Sequence, residues 1–189
     1  MKILFASQNN AKKAEISKIF NQFSDKHFLY TEDEVLEVIE DQETIEENAI
    51  KKAKEYFEFF KCPVISDDSG LFVEELDGKP GVLSARFAGK NASDRDNIEK
   101  LINLMQNRAN YAAKFQTVLC FYNGYDLITT FGELHGKIIL EPRGTNGFGY
   151  DSIFEVNGKT LAELDIEEKS KISHRNIASV KLVKKINEI

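Results

Sequence analysis

The 189-residue chain has only three prolines, two cysteines and three histidines, and it has no long apolar run. Each shortage removes a class of explanation. No apolar stretch approaches the roughly 20 residues that a membrane-spanning helix needs, so no membrane partner is expected. The opening MKILFASQNN carries one lysine and a short apolar stretch that polar residues soon interrupt. That is too short for a signal-peptide core and reads as a first strand. Cys62 and Cys120 lie far apart and share no metal-type spacing, so a reducing, cytoplasmic setting is the simplest expectation. His27 and His135 have no motif around them and are read as structural. Positive charge is also scarce, with 25 Lys and Arg against 31 Asp and Glu, a formal net charge of −6. Nucleic-acid affinity depends on neutralising phosphates, so this balance argues against a DNA or RNA partner. A small polyphosphate remains compatible, given a local cluster of Lys, Arg and backbone N–H groups and a divalent cation.

What is present is the composition of a globular α/β protein, 42% hydrophobic and 30% charged, long enough for a real core. Residues 1–189 are read as a single domain. KILFA (2–6) has strand length, and Ile16, Ile19, Phe20 and Phe23 then recur at helical spacing. FLY (28–30) and EVLEVI (34–39) are candidate short strands. A second helical stripe runs through Ile45, Ala49, Ala53, Tyr56, Phe57 and Phe60, with Thr44 and Glu47 spaced as a capping box. CPVIS and GLFV are expected as strands on either side of Asp67-Asp68. Residues 77–92 read as a long ordered loop, a class that tends to be functional. Ile98, Leu101, Ile102 and Met105 mark a third helix capped by Ser93 or Asp94. Asn123-Gly124 joins two β-rich runs as a hairpin. EPRGTNGFGYDSIF is a glycine-rich loop entering a short strand, and the last 18 residues form a helix burying Ile177, Leu182, Val183 and Ile186. Alternating helices and strands with one long hairpin predict an α/β fold with a mixed sheet.

Five polar clusters fall where strands or hairpins end: SQNNAK (7–12), SDDSG (66–70), PGVLSARFAG (80–89), GTNGFGYD (144–151) and EEKSKISHR (167–175). Ligand sites of open α/β sheets gather at such ends. Each cluster also has a plain reading. Asp, Ser and Gly at 67–70 suit a solvated turn, and Asn9 or Asn10 suits a helix cap. The functional alternative is that N–H groups at that helix start, with Lys12 in the first turn, hold an anion. The stretch lacks the GxxxxGK[ST] spacing of a Walker loop.

Taken together and in this order, FASQNNAKKAEI, EENAIKKA, SDDSGLFVEELDGKPGVLSARFAG, GTNGFGYDSIF and AELDIEEKSKISHRNIA resemble the inosine triphosphate pyrophosphatase family, also described as Ham1-like pyrophosphatases of noncanonical purine nucleotides. The resemblance implies a two-lobed α/β fold around a long mixed sheet, with the nucleotide between the lobes, commonly as a homodimer. It implies Mg²⁺-dependent hydrolysis of ITP, dITP and XTP to the monophosphate and pyrophosphate. Carried over by position, Ser7, Gln8, Asn9, Asn10, Ala11 and Lys12 line the triphosphate. Asp68 is the general base and a metal ligand, and Ser69 touches the substrate. Phe148, Gly149, Tyr150, Asp151 and Lys169 border the nucleoside, and His174 and Arg175 contact the base.

Three positions depart from the family pattern. Ser7-Gln8 stand where Thr-Gly is usual, Asn146 stands where glycine is common, and the acid expected before a Gly-x-Thr falls at IEDQET. There the aligned residue is Ile39, and Glu40 beside it is taken as the second metal ligand. On this reading Gly70 lets the backbone turn near the phosphates, and Mg²⁺ offsets the adjacent carboxylates. Donors from Lys169, His174 or Arg175 would favour the O6 acceptor of hypoxanthine or xanthine over adenine, with Phe148 or Tyr150 as a stacking face. The alternatives are a Maf-like nucleotide pyrophosphatase of other base specificity and a non-catalytic purine nucleotide-binding sensor.

Overall fold

The computed structural model describes residues 1–24, 26–32 and 36–189. In chain order the elements are β1 (Lys2–Ala6), α1 (Asn10–Phe23), β2 (Phe28–Tyr30), α2 (Ile45–Phe60), β3 (Val64–Val73), β4 (Pro80–Gly81) and α3 (Asp94–Met105), then β5 (Ala112–Tyr122), β6 (Leu127–Ile138), β7 (Phe154–Val156), β8 (Lys159–Thr160), α4 (Ile166–Ile172) and α5 (His174–Ile186). Among the described residues the strands form one sheet in the order β2-β1-β3-β5-β6-β7-β8, with β4 paired to β3. The sheet is mixed, as expected. β1 runs parallel to β2 and β3, with Ile3 opposite Leu29 and Phe5 opposite Ile65, while β6–β7 and β7–β8 are antiparallel.

The chain divides into two compact units. The first comprises Met1–Asp68, Thr117–Gly132 and His174–Ile189. Its core joins Ile3, Phe5 and Ile65 of the parallel strands to Ile16 and Phe20 of α1 and to Ala178, Leu182, Val183 and Ile186 of α5. Burying one such side chain contributes roughly 1.5–3 kcal/mol, so these two helix faces anchor α1 and α5 firmly. The expected stripe of α1 holds at Ile16, Ile19 and Phe20, whereas Phe23 ends the helix 45% exposed. α2 begins at the expected capping box, with Thr44 accepting from the Glu47 N–H and Glu47 reaching back. The second unit comprises Ser69–Gln116 and Glu133–Ser173. Its core gathers Leu71, Val73, Leu101, Met105, Ala113, Ile138, Tyr150, Ile153, Phe154 and Leu161.

Three expectations need correction or restriction. The aspartates do not form a turn between two strands: β3 is one ten-residue strand that runs straight through SDDSG. The hairpin at Asn123-Gly124 forms, but its connection spans four residues, closed by Asn123 N–H donating to the Asp126 carbonyl. Asn123 Oδ1 also takes the Tyr125 and Asp126 N–H groups, and this side-chain capping favours the longer loop. Of the expected strand 34–39, residues 34 and 35 lie outside the described residues, and 36–39 hold no strand.

Candidate active site

Successive side chains of a strand point to opposite faces, so the continuity of β3 decides where its two carboxylates go. On one face Asp67 meets α1 and α5. Its Oδ1 accepts from the Lys12 ammonium, and its Oδ2 accepts from the Thr117 hydroxyl at 3.0 Å and from Arg175 Nε at 2.9 Å. Burial opposes charge on Asp67, but Lys12 and Arg175 together outweigh it and hold this carboxyl far below the usual range. Arg175 Nη1 donates to Glu15 Oε2 at 2.7 Å. On the other face Ser66 Oγ donates to the Ala49 carbonyl of α2, which places Asp68, two residues on, beside the same helix. Burial first, and then repulsion from Glu40, pushes the Asp68 carboxyl up to about 6.

Glu40 is brought there by a loop that α2 pins. Lys51 Nζ donates to the Ile39 carbonyl at 2.8 Å and to Asp41, and the buried Asn48 accepts the Gln42 N–H at 3.0 Å. Lys52 pairs with Glu40 and donates to the Asp67 carbonyl at 3.1 Å. Burial works against its charge, yet Glu40 and Asp68 raise its pKa. Two carboxylates with hard oxygen donors, close enough for one to shift the other, suit Mg²⁺, which takes one or two protein carboxylates and fills its shell with water and phosphate oxygens. Among the described residues no group of three or more His, Cys, Asp or Glu side chains forms a fuller cage.

At the N-terminus of α1, Asn9 Oδ1 accepts from the Ala11 and Lys12 N–H groups, and Ser7 Oγ accepts from the Asn9 N–H. The plain capping reading therefore holds for Asn9, and those two helix N–H groups are engaged. Gln8 and Asn10 are exposed around this cap. Gly70 also has a different purpose from the one expected. A Cβ there would fall 2.4 Å from the Gly81 carbonyl oxygen, so glycine permits the close pairing of β3 with β4.

In the second unit the GTNGFGYD loop folds around Asp151. Its Oδ2 accepts from the Phe148 N–H at 2.9 Å and from the Lys169 ammonium of α4. A Cβ on Gly147, at φ +79°, would lie 2.0 Å from that same oxygen, so this turn requires glycine. Lys169 Nζ stands 5.0 Å from the centre of the half-buried Phe148 ring. Asn146, where the family often has glycine, donates to the Leu164 carbonyl at 3.0 Å, and the Gly149 N–H donates to Asp94 at 2.6 Å. Tyr150, expected as a stacking face, is instead core: it is buried and its hydroxyl donates to the Ser84 carbonyl at 2.8 Å. Phe148, by contrast, is half-buried, with Lys169 over its ring.

The structure thus assembles Lys12, Asp67 and Arg175 in one cluster, Glu40 and Asp68 in a second, and Phe148, Asp151 and Lys169 in a third. His174 is buried at the start of α5, and Ser69 follows Asp68 along β3. Arg175, expected to contact the base, has its side chain 3% exposed and its guanidinium paired with two carboxylates. Sequence reasoning passed over Lys52, Thr117 and Glu15. Lys52 did carry a signal, since it lies three residues from Ala49 and four from Tyr56, on the core side of an amphipathic helix. Thr117 carried none.

The model of the Ham1 family matches residues 3–185. A dITP/XTP pyrophosphatase of Thermoanaerobacter sp. (strain X514) is 45% identical, the match covering 96% of this chain and 94% of the relative. That of Aquifex aeolicus is 43% identical over 97% and 95% of the two chains. Among solved structures, a HAM1 protein from Coxiella burnetii superposes with a TM-score of 0.91 at 36% identity, covering both chains completely. The Staphylococcus aureus Ham1 protein gives 0.88 at 37% identity, covering 100% of this chain and 99% of the other. With a match spanning nearly its whole length, and a fold shared with solved members, this chain belongs to the Ham1 family.

Proposed function

We propose that this protein is a nucleoside triphosphate pyrophosphatase that hydrolyses noncanonical purine nucleotides, dITP, XTP and ITP, to the monophosphate and pyrophosphate. The observation that carries the reading is the buried Asp68 carboxyl, raised to about 6 beside Glu40, in a chain whose relatives are named dITP/XTP pyrophosphatases. A carboxylate with a raised pKa is a stronger base than an ordinary one while still ionised near neutrality. Asp68 accepts the proton of a water that attacks the α-phosphorus in line with the departing pyrophosphate. Asp68 and Glu40 would hold Mg²⁺, which would neutralise the developing phosphate charge. Lys12, fixed at the start of α1, binds the triphosphate, with Ser7, Gln8, Asn9, Asn10 and Ala11 shaping the loop beside it. Phe148 offers a stacking face that tolerates any base, and Lys169 and His174 supply donors for O6. A site built on such pairing rejects a base that lacks the acceptor by up to roughly 10⁴. We propose further that the protein acts as a homodimer in a reducing, cytoplasmic setting, which its two free cysteines favour.

The test is product identification with Mg²⁺ and a panel of ITP, dITP, XTP, ATP and GTP. The expected products are monophosphate and pyrophosphate, with ATP and GTP poor substrates. Orthophosphate and a nucleoside diphosphate as primary products overturn the chemistry, and equal rates on ITP and ATP overturn the selectivity.

A further inference from the structure

We infer that Asn48 is a positioning residue that holds Glu40 in place by pinning the loop 39–42 to α2; this rests on the metal role proposed above for Glu40. Residues 36–43 form neither helix nor strand, so the course of this loop depends on bonds from elsewhere. Those bonds come from α2 at three-residue steps. The Leu36 carbonyl accepts the Tyr56 hydroxyl at 3.0 Å, the Ile39 carbonyl accepts Lys51 Nζ at 2.8 Å, and the Gln42 N–H donates to Asn48 Oδ1 at 3.0 Å. Asn48, Lys51 and Tyr56 lie three and then five positions apart, and the loop therefore runs antiparallel to the helix along its length. The bonds at Ile39 and Gln42 fall one residue before Glu40 and two residues after it. The stretch that carries this carboxylate is fixed at both ends.

The two pins differ in strength. The Lys51 side chain is 26% exposed, so water competes for its ammonium, whereas Asn48 is 1% exposed and its bond is shielded. An N–H can be met only by an acceptor, so the amide of Asn48 must turn Oδ1 toward Gln42. That leaves Nδ2 buried with no hydrogen-bond partner among the described residues. A buried unpaired donor is a costly choice at a position between the buried Ile45 and Ala49, where an apolar side chain would pack without that penalty. What the amide adds is the acceptor for Gln42. Without it the Gln42 N–H is released and the Glu40 carboxylate loses its fixed place, while Asp68 keeps its own on β3. The consequence falls on Mg²⁺ affinity and leaves the chemical step intact once the metal is bound.

The experiment titrates Mg²⁺ at saturating ITP, by pyrophosphate release, in the wild type, Asn48→Ala, Glu40→Gln and Asn48→Ala/Glu40→Gln, each checked for folding by circular dichroism. Hydrogen exchange of the peptide covering residues 39–42, read by mass spectrometry without metal or nucleotide, supplies a measure independent of activity. Asn48→Ala is expected to raise the Mg²⁺ midpoint roughly fivefold and to add little on the Glu40→Gln background, as for residues coupled in one network. At saturating Mg²⁺ its kcat should return to within about twofold of the wild type. Exchange in 39–42 should be faster by roughly tenfold or more, because a shielded amide has lost its acceptor. An unchanged midpoint overturns the inference, as do full additivity with Glu40→Gln, unchanged exchange in 39–42 and a kcat loss that Mg²⁺ does not restore. If Asn48→Ala does not fold, Asn48→Ser, whose hydroxyl is too short to reach the Gln42 N–H, gives the same readouts. A wild-type protein that releases no pyrophosphate from ITP overturns the proposed activity, and the inference with it. An active wild type whose Mg²⁺ midpoint responds to Glu40→Gln but not to Asn48→Ala overturns the inference alone.

Discussion

Asp67 and Asp68 are neighbours on one strand, yet they belong to regions of opposite electrostatic character. The Asp67 face, between α1 and α5, surrounds its carboxylate with Lys12, Arg175 and Thr117 and holds its pKa far down. The Asp68 face, against α2, sets its carboxylate beside Glu40 and leaves the pKa near 6. Burial disfavours both charges to begin with, so the number and sign of neighbouring charges decide the outcome. The same residue type thus becomes a fixed counter-ion on one side of the sheet and a candidate base on the other. Placing the two carboxylates next to each other in sequence separates them across the strand, which relieves much of their repulsion.

The sharpest way to break this contrast is to neutralise each carboxylate in turn. Asp68→Asn should lower kcat by about 10²–10⁴, the contribution of a lost general base. Its melting temperature should not fall, because a charge that burial disfavours has been removed. Asp67→Asn should do the reverse in stability, costing about 3–5 kcal/mol in denaturant unfolding by leaving Lys12 and Arg175 without their counter-charge. Matching stability losses in the two variants would mean that the faces are not distinct.

Smaller effects sharpen it. Glu40→Gln should shift the Mg²⁺ concentration for half-maximal activity upward by about tenfold or more, read by titrating activity with Mg²⁺; an unchanged midpoint removes Glu40 from the metal site. On the other face, Asn9→Ala removes the cap of α1 and should cost about 1 kcal/mol, measured by urea unfolding.

Glu133 supplies the smallest effect and a control. Its carboxyl is lowered to about 2, chiefly by the Lys114 ammonium at 2.7 Å. The shift has the same direction as at Asp67, but the side chain is 26% exposed and solvent screens the pair. A depressed carboxyl adds stability above its unfolded value near 4.5 that is lost as pH falls through about 2. Glu133→Gln should therefore flatten stability between those two pH values and change it by at most about 1 kcal/mol at neutral pH. A loss as large as that of Asp67→Asn would mean that burial is not what separates the two.

Most of the secondary structure was legible in the chain because its signals are local. The apolar stripes of α1 and α2, the Thr44–Glu47 capping box and the glycine-rich loop before β7 each depend on residues within a few positions of one another. The aspartates misled for the same reason. Asp-Asp-Ser-Gly favours a turn locally, but β3 is paired with β1 up to Ser66, with β4 from Leu71, and lies beside β5, which overrides that preference and keeps it extended. Tyr150 was misread because a tyrosine beside two glycines gives no local sign that Ser84, 66 residues away, takes its hydroxyl.

By itself the sequence determined the helix faces and caps, the mixed α/β class and where the candidate acids lie along the chain, since each rests on short-range spacing or on a motif read in order. Only the tertiary structure decided what those acids meet. Asp67 finds Lys12 55 residues before it and Arg175 108 residues after it, and Arg175 finds Glu15 across 160 residues. The charge state of a buried carboxylate depends on which counter-charges the folded chain brings within a few ångströms. Spacing along the chain does not encode that, whereas the crossing of α1 and α5 over β3 does.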